Sequence, residues 1–321
     1  MPLAEIAGLA ATVDAHGCSE VADAVAARWG LPAGTARFHR SSASHVFRVG
    51  HPPRAYLRFT PFPRVRTAAG LMASYHRGGL GVVAPVPSTA GQLVETVGTP
   101  RGEVYAILVT AAPGVPVEPA ELDGVRAYAW GAALARLHRA DPREHGLPLL
   151  FAELEGAELE GAELAGAGEP WAADGPLAEA VARLVAALGR LPRDRSVFGV
   201  VHGDFELDNL AWEGAVGTAY DFDDAGRCWY AADIAIALRD AAAHRAAFLA
   251  GYRSERDLSA TEEAGLPLFV AAHAACWLAR LPTVLGAGPT PADPPWLDAL
   301  RGKLLRHADR QRDLIVAAAP G

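Results

Sequence analysis

Residues 198–224, FGVVHGDFELDNLAWEGAVGTAYDFDD, decide how this chain is read. The apolar run 198–201 predicts a buried strand that delivers His202-Gly203-Asp204 onto a loop. Leu210-Ala211-Trp212 predicts a short strand, Glu213-Gly214 a turn, and residues 216–220 a second apolar strand that ends on Asp221-Phe222-Asp223. The strands bring Asp204, Asn209 and Asp221 to one edge. Asp204 can take a proton from a hydroxyl, and Asn209 and Asp221 offer hard oxygen donors suited to Mg²⁺, which usually takes one or two protein ligands and fills the rest with phosphates and water. Taken singly, each residue also fits a polar hairpin with capping side chains. The combination points to a catalytic centre.

Protein kinases carry H-R-D-x-x-x-x-N followed by a strand that ends in aspartate. Here Gly203 stands in the place of the arginine, and DFD in the place of DFG. With those changes the stretch resembles the aminoglycoside phosphotransferase/choline kinase family of small-molecule kinases, over roughly residues 35–250 and most closely at 200–240. The resemblance implies an α+β, two-lobed protein-kinase-like fold. Its N-terminal lobe (1–111) would be an antiparallel sheet plus a helix, and its C-terminal lobe (112–321) mostly helical. It also implies transfer of the γ-phosphate of ATP to a hydroxyl of a small molecule, with Asp204 as base and Asn209 and Asp221 on Mg²⁺. His202 would fix the loop, and Asp233 would brace it through backbone hydrogen bonds.

Where the family covers the phosphates with the turn between its first two strands, this chain has Ser41-Ser42-Ala43-Ser44-His45, rich in hydroxyls and without glycine. Ser41, Ser42 and Ser44 are the candidate phosphate contacts. The family's third-strand lysine is replaced by Arg58 in AYLRFT, a permanently charged fork with a different reach. The partner glutamate expected on the next helix is missing, since nothing acidic occurs between Arg58 and Glu95. Arg58 must be oriented by other groups. The segment AILVTAAPG can present the Thr110 carbonyl and the Ala112 N–H to an adenine edge. Glu206 and Asp223, with Asp208 and Asp224, make the site acidic. We therefore expect Glu206 and Asp223 to face an acceptor that carries an amine or other cation, an amino sugar or antibiotic-like molecule for example, with Asp208 and Asp224 solvated or capping turns.

Elsewhere the chain reads as support. Ser19 predicts the N-cap of a helix that runs to Trp29 and stops at Gly30. Strands are expected across 35–60 and near QLVETV and VYAILVT, with a helix over RTAAGLMASYHRGG between them. Beyond Pro113-Gly114 the periodicity becomes helical: 122–139, the run WYAADIAIALRDAAAHRAAFLAGYR, and two stretches near 260–281 and 296–317. His138 is expected at a helix end, bonded to backbone. The tandem AELEG-AELEG-AELAG at 152–166 is too short for a solenoid and reads as an acidic insertion or a short helical piece.

The net charge of −8 argues against non-specific nucleic-acid binding. Three cysteines without CxxC spacing fit reduced thiols. No uninterrupted apolar run approaches the ~18 residues of a membrane span, and the first residues lack a signal-peptide pattern, so a cytoplasmic enzyme without a membrane partner is expected. Two rivals share parts of this reading. One is a non-catalytic nucleotide-binding protein of the same fold, motivated by Arg58 and the missing glutamate. The other is a protein kinase, disfavoured because Asp233 follows Asp221 after a short connection with no APE segment.

Overall fold

The computed structural model describes residues 1–142, 146–154, 175–239, 241–286, 288–290 and 293–319. Two helices lead in, α1 (Leu3–Ala10) and α2 (Glu20–Ala26). Strands β1 (Ala36–Ser41), β2 (His45–Val49) and β3 (Ala55–Thr60) precede α3 (Val65–Arg77). Then come β4 (Pro85–Val86), β5 (Glu95–Thr99) and β6 (Gly102–Thr110). These six strands form one antiparallel sheet in the order β1-β2-β3-β6-β4, with β5 also on β6.

Alternation along the strands gives the sheet two different faces. Phe47, Leu57, Phe59, Ala106 and Leu108 pack in one cluster with Val21, Ala22 and Val25 of α2. Ile107 and Val109, of opposite parity on β6, join Leu71 and Met72 of α3 in the larger core. Arg58, flanked by Leu57 and Phe59, shares the parity of that second face and looks toward the cleft. Ser19 precedes α2 as expected, but its hydroxyl pairs with Thr12 Oγ at 2.7 Å instead of capping the helix.

The rest is largely helical: α4 (Gly124–Ala140), α5 (Gly175–Gly189), α6 (Tyr230–Leu238), α7 (Arg245–Glu255), α8 (Ala260–Ala264), α9 (Leu266–Leu285) and α10 (Pro295–Ala318). The single helical run expected from Trp229 onward is two helices joined by a short turn at residues 242–244. Helices α4 and α7 cross in close contact. A Cβ on Gly131 would meet the Phe248 carbonyl oxygen at 1.9 Å, and one on Gly251 the Tyr128 carbonyl oxygen at 1.9 Å. This approach brings α4 and α7 side chains together beneath the loop that follows β7, at residues 202–209. Helix α9 is long and apolar enough to cross a membrane, yet nine of its residues are buried against its neighbours.

Within this helical part, β7 (Phe198–Val201) pairs with β10 (Gly226–Trp229), and β8 (Leu210–Glu213) forms a hairpin with β9 (Val216–Ala219). Strand β10, α1 and α5 were not legible in the sequence. The second and third AELEG copies lie outside the described residues, while Ala152–Leu154 of the first forms a 3-10 turn.

Candidate active site

Helix α6 starts directly after β10, which sets Asp233 in its first turn against the end of β7. The Asp233 carboxylate accepts the His202 N–H at 2.6 Å and the Gly203 N–H at 2.7 Å, as expected of a brace. It also meets Nε2 of His138 at 3.1 Å, and Nδ1 of His138 lies 2.9 Å from the Tyr252 hydroxyl of α7. Both His138 and Asp233 side chains are 0% exposed, so every polar atom needs a partner. Burial drives His138 below its ordinary pKa, despite the opposing carboxylate. Burial would raise Asp233, but His138 and the backbone donors outweigh it and hold the group below its ordinary value. His138 is therefore the neutral Nε2–H tautomer. It donates to Asp233 and accepts from Tyr252. The expectation of a helix-end histidine bonded to backbone is corrected: its partners are side chains of two other helices.

The loop itself is held from inside. His202 Nε2 donates to the Tyr220 carbonyl at 3.1 Å, and its Nδ1 accepts the Asp204 N–H at 3.3 Å. Gly203 has φ +82°, and a Cβ there would sit 2.0 Å from the Asp224 carbonyl oxygen. No side chain fits that position, which explains the departure from the kinase arginine. The Asn209 amide nitrogen donates to both the backbone oxygen and Oδ2 of Asp204, each at 2.9 Å. Burial pushes the Asp204 carboxyl up to about 8, and Glu206, Asp224, Asp221 and Asp208 add to the push.

Across the hairpin, the Tyr220 N–H donates to the Asn209 carbonyl at 3.0 Å, so Asn209 and Asp221 stand on neighbouring rungs. Asp221 adopts φ +66°, a left-handed conformation that aspartate tolerates better than most residues. Arg58 Nη2 reaches its Oδ1 at 2.6 Å and Asp223 Oδ2 at 2.8 Å. Arg40 Nη2 reaches Oδ2 at 3.2 Å. Burial would raise Asp221, but Arg58 and Arg40 outweigh it and hold the carboxylate below its usual range. For Asp223 burial prevails over Arg58, and the group rises to about 6. The Arg58 guanidinium is buried, and Asp221 and Asp223 more than offset that burial to strengthen its hold on the proton.

Residues 35–268 match the profile of the phosphotransferase enzyme family. The chain belongs to that family. It is 33% identical to the homoserine kinase of Gluconacetobacter diazotrophicus over 259 residues, 75% of this chain and 77% of that protein. It is 25% identical to the amicoumacin kinase of Bacillus subtilis over 222 residues, 66% of this chain, and spans 65% of that relative's length. The structure of the amicoumacin kinase hAmiN in complex with AMP-PNP, Ca²⁺ and Ami superposes with a TM-score of 0.68 at 20% identity, covering 89% of each chain. That likeness confirms the two-lobed kinase-like fold.

Within this phosphotransferase, the expected site residues do not all meet. Asp204, Asn209, Asp221 and Arg58 converge. Ser44 joins them, accepting from Arg58 at 3.1 and 3.3 Å, so the orienting role left open by the missing helix glutamate falls to Ser44, Asp221 and Asp223. Ser41 instead bonds His45 Nδ1 at 2.8 Å, and Ser42 is exposed at the hairpin tip. Thr110 ends β6, and Ala112 follows it on the crossing between the lobes. Asp223, expected on the acceptor side with Glu206, lies with Arg58. Glu206 pairs with Arg239. Asp224, expected solvated or capping, contacts Arg280 at 3.5 Å and Arg64 at 3.7 Å. Arg40 was missed. A register shift between Phe38 and Arg40 on β1 precedes it, and nothing in ARFHRS marks it out.

Among the described residues no group of three or more His, Cys, Asp or Glu side chains could hold a metal by itself. One carboxylate and one amide beside the guanidinium groups of Arg58 and Arg40 nonetheless fit an Mg²⁺ ion that draws its other ligands from nucleotide phosphates and water. The amide nitrogen of Asn209 faces Asp204, which leaves its oxygen to point the other way.

Proposed function

We propose that this phosphotransferase is an ATP-dependent kinase of a small-molecule hydroxyl, with an amine near that hydroxyl. The observation that carries the reading is the convergence of Asp204, Asn209, Asp221 and Arg58 on one cleft, with Asp204 held by Asn209. Asp204 receives the hydroxyl proton as the acceptor oxygen bonds to the γ-phosphorus. The bond from that phosphorus to the β–γ bridging oxygen breaks, and ADP leaves with the electron pair. A carboxyl raised to about 8 is a stronger base than an ordinary aspartate once ionised, and a cation beside it favours the ionised form.

Arg58, Arg40 and the serine turn would grip the phosphates, and Asn209 and Asp221 would hold Mg²⁺. That ion supplies charge neutralisation between the phosphates. Glu206 pairs with Arg239 and Asp224 contacts Arg280 and Arg64, yet Glu206, Asp224, Asp221 and Asp208 still push Asp204 up, and that residual negative potential supports a cationic acceptor. The Thr110 carbonyl and Ala112 N–H would meet the adenine.

A second reading, a nucleotide-binding protein without turnover, draws on the engagement of Arg58 with Asp221. ADP release measured over a panel of alcohols separates the two. A kinase releases ADP only when an acceptor is present. A binder shows Mg·ATP stabilisation alone, about 2.7 kcal/mol at a hundred times the dissociation constant.

A further inference from the structure

Arg58 is bound to two carboxylates at once. Its Nη2 meets Asp221 Oδ1 at 2.6 Å and Asp223 Oδ2 at 2.8 Å, and Nη2 and Nε both donate to the Ser44 hydroxyl. The side chain is 8% exposed. A guanidinium so buried stays charged, and taking its last carboxylate away would leave that charge uncompensated out of water.

The two carboxylates are not equivalent. Both oxygens of Asp221 are engaged by arginines, Oδ1 by Arg58 and Oδ2 by Arg40 at 3.2 Å. An Mg²⁺ ion on Asp221 and Asn209 competes with both guanidinium groups for the same two oxygens and repels them. Arg40 is 44% exposed and can turn toward solvent or a phosphate. Arg58 is buried, but it keeps Asp223 on the same nitrogen. The segment that carries Asp223 is pinned in turn. Phe222 is buried, with its ring 4.3 Å from that of His202 and 5.9 Å from that of Tyr75 on α3. Asp223 is thereby tied both to the loop at residues 202–209 and to the helix that lacks the glutamate.

We propose that Asp223 is the positioning residue of the phosphate grip: when Mg²⁺ arrives with the nucleotide and takes Asp221, Arg58 passes from a hold on two carboxylates to a hold on Asp223. The assignment rests on the kinase reading above and deepens it by naming what steadies Arg58 in the loaded site. Until the nucleotide arrives, the Arg58–Asp221 pair keeps a bare divalent ion off Asp221. The phosphates then offer the two arginines new anions, so metal and nucleotide strengthen each other's binding by the same factor. The brace lies two residues from the metal ligand, which couples the arginine and the ion through one short stretch of chain.

The test titrates the full-length protein with AMP-PNP by calorimetry, in excess Mg²⁺ and again in EDTA, and separately with Mn²⁺ alone. Asp223→Asn should reduce the factor by which Mg²⁺ strengthens AMP-PNP binding at least about tenfold. Affinity in EDTA, where Asp221 still holds Arg58, should change by less than about threefold. Arg58→Gln should bind Mn²⁺ alone at least about tenfold more tightly than the wild type does, and Arg58→Gln/Asp223→Asn should keep that gain. Equal losses of AMP-PNP affinity with and without Mg²⁺ make Asp223 merely structural and overturn the proposal. Loss of the Mn²⁺ gain in the double variant also overturns it, because Asp223 is then itself a metal ligand. Wild-type protein that binds Mn²⁺ alone as tightly as Arg58→Gln overturns the exclusion of the bare ion, a result read whether or not Asp223→Asn folds. In all three cases the kinase reading stands. Absence of AMP-PNP binding by the wild type in either condition removes both.

Discussion

Two clusters of charge lie on either side of the loop at residues 202–209, and they are built on opposite principles. Behind it, His138, Asp233 and Tyr252 form a dry brace in which donors and acceptors match one for one. In front, Asp204, Asp221, Asp223, Arg58 and Arg40 crowd a cleft where carboxylates outnumber the cations that reach them and two of the acids are driven up by burial. The brace is finished without a ligand. The cleft is balanced only in part by its own arginines. A polar network with every member satisfied fixes geometry, whereas an incompletely compensated one stores affinity for what is missing.

Breaking the brace gives the largest effect. Asp233→Ala leaves the His202 and Gly203 N–H groups and His138 without their acceptor in a fully buried site. It should destabilise the protein by about 3–5 kcal/mol, read as a lower urea midpoint. Asp204→Asn strikes the cleft instead. Turnover should fall by about 10²–10⁴ while ATP binding persists, and the thermal midpoint of the metal-free protein at pH 8 should rise. A brace-type loss of stability in Asp204→Asn would remove the contrast.

The two clusters should also titrate in opposite senses. The Asp204 pKa is raised on folding to about 8, so its contribution is fully present below its unfolded value and is lost as pH rises through about 8. The His138 pKa is lowered on folding, so its contribution is present above the ordinary histidine value and is lost as pH falls below it. Thermal midpoints recorded from pH 5 to 8 should therefore lose part of their alkaline decline in Asp204→Asn and part of their acid decline in His138→Gln. The same change in both variants would mean that the clusters are not electrostatically separate.

Arg40→Ala is the mildest test. The Arg40 side chain is 44% exposed and its ion pair with Asp221 is screened. Mg·ATP affinity should weaken by a few-fold, about 0.2–1 kcal/mol, with no change in adenosine affinity. Tighter binding would show that Arg40 obstructs the phosphates.

Much of this was legible in residues 198–224, because strands announce themselves by short apolar runs and the chemistry by residue type. Arg58 could be placed on its strand for the same reason, and its lack of a helix partner followed from the absence of acids between Arg58 and Glu95. The identity of its partners could not. Asp221 lies 163 positions from Arg58 and 181 from Arg40, and only the meeting of the sheet with the β8–β9 hairpin joins them. His138 was misread because helical periodicity reports that a residue faces inward and not which buried group it finds there.

The strands and turns of residues 198–220, the positions of Asp204, Asn209 and Asp221 along them, and the replacement of lysine by Arg58 were determined by the sequence alone, since each is a property of neighbours a few residues apart. The tertiary structure decided which charges meet and how deeply each is buried. Coulomb energy depends on distance and burial, and neither is written along a chain before its distant segments are brought together.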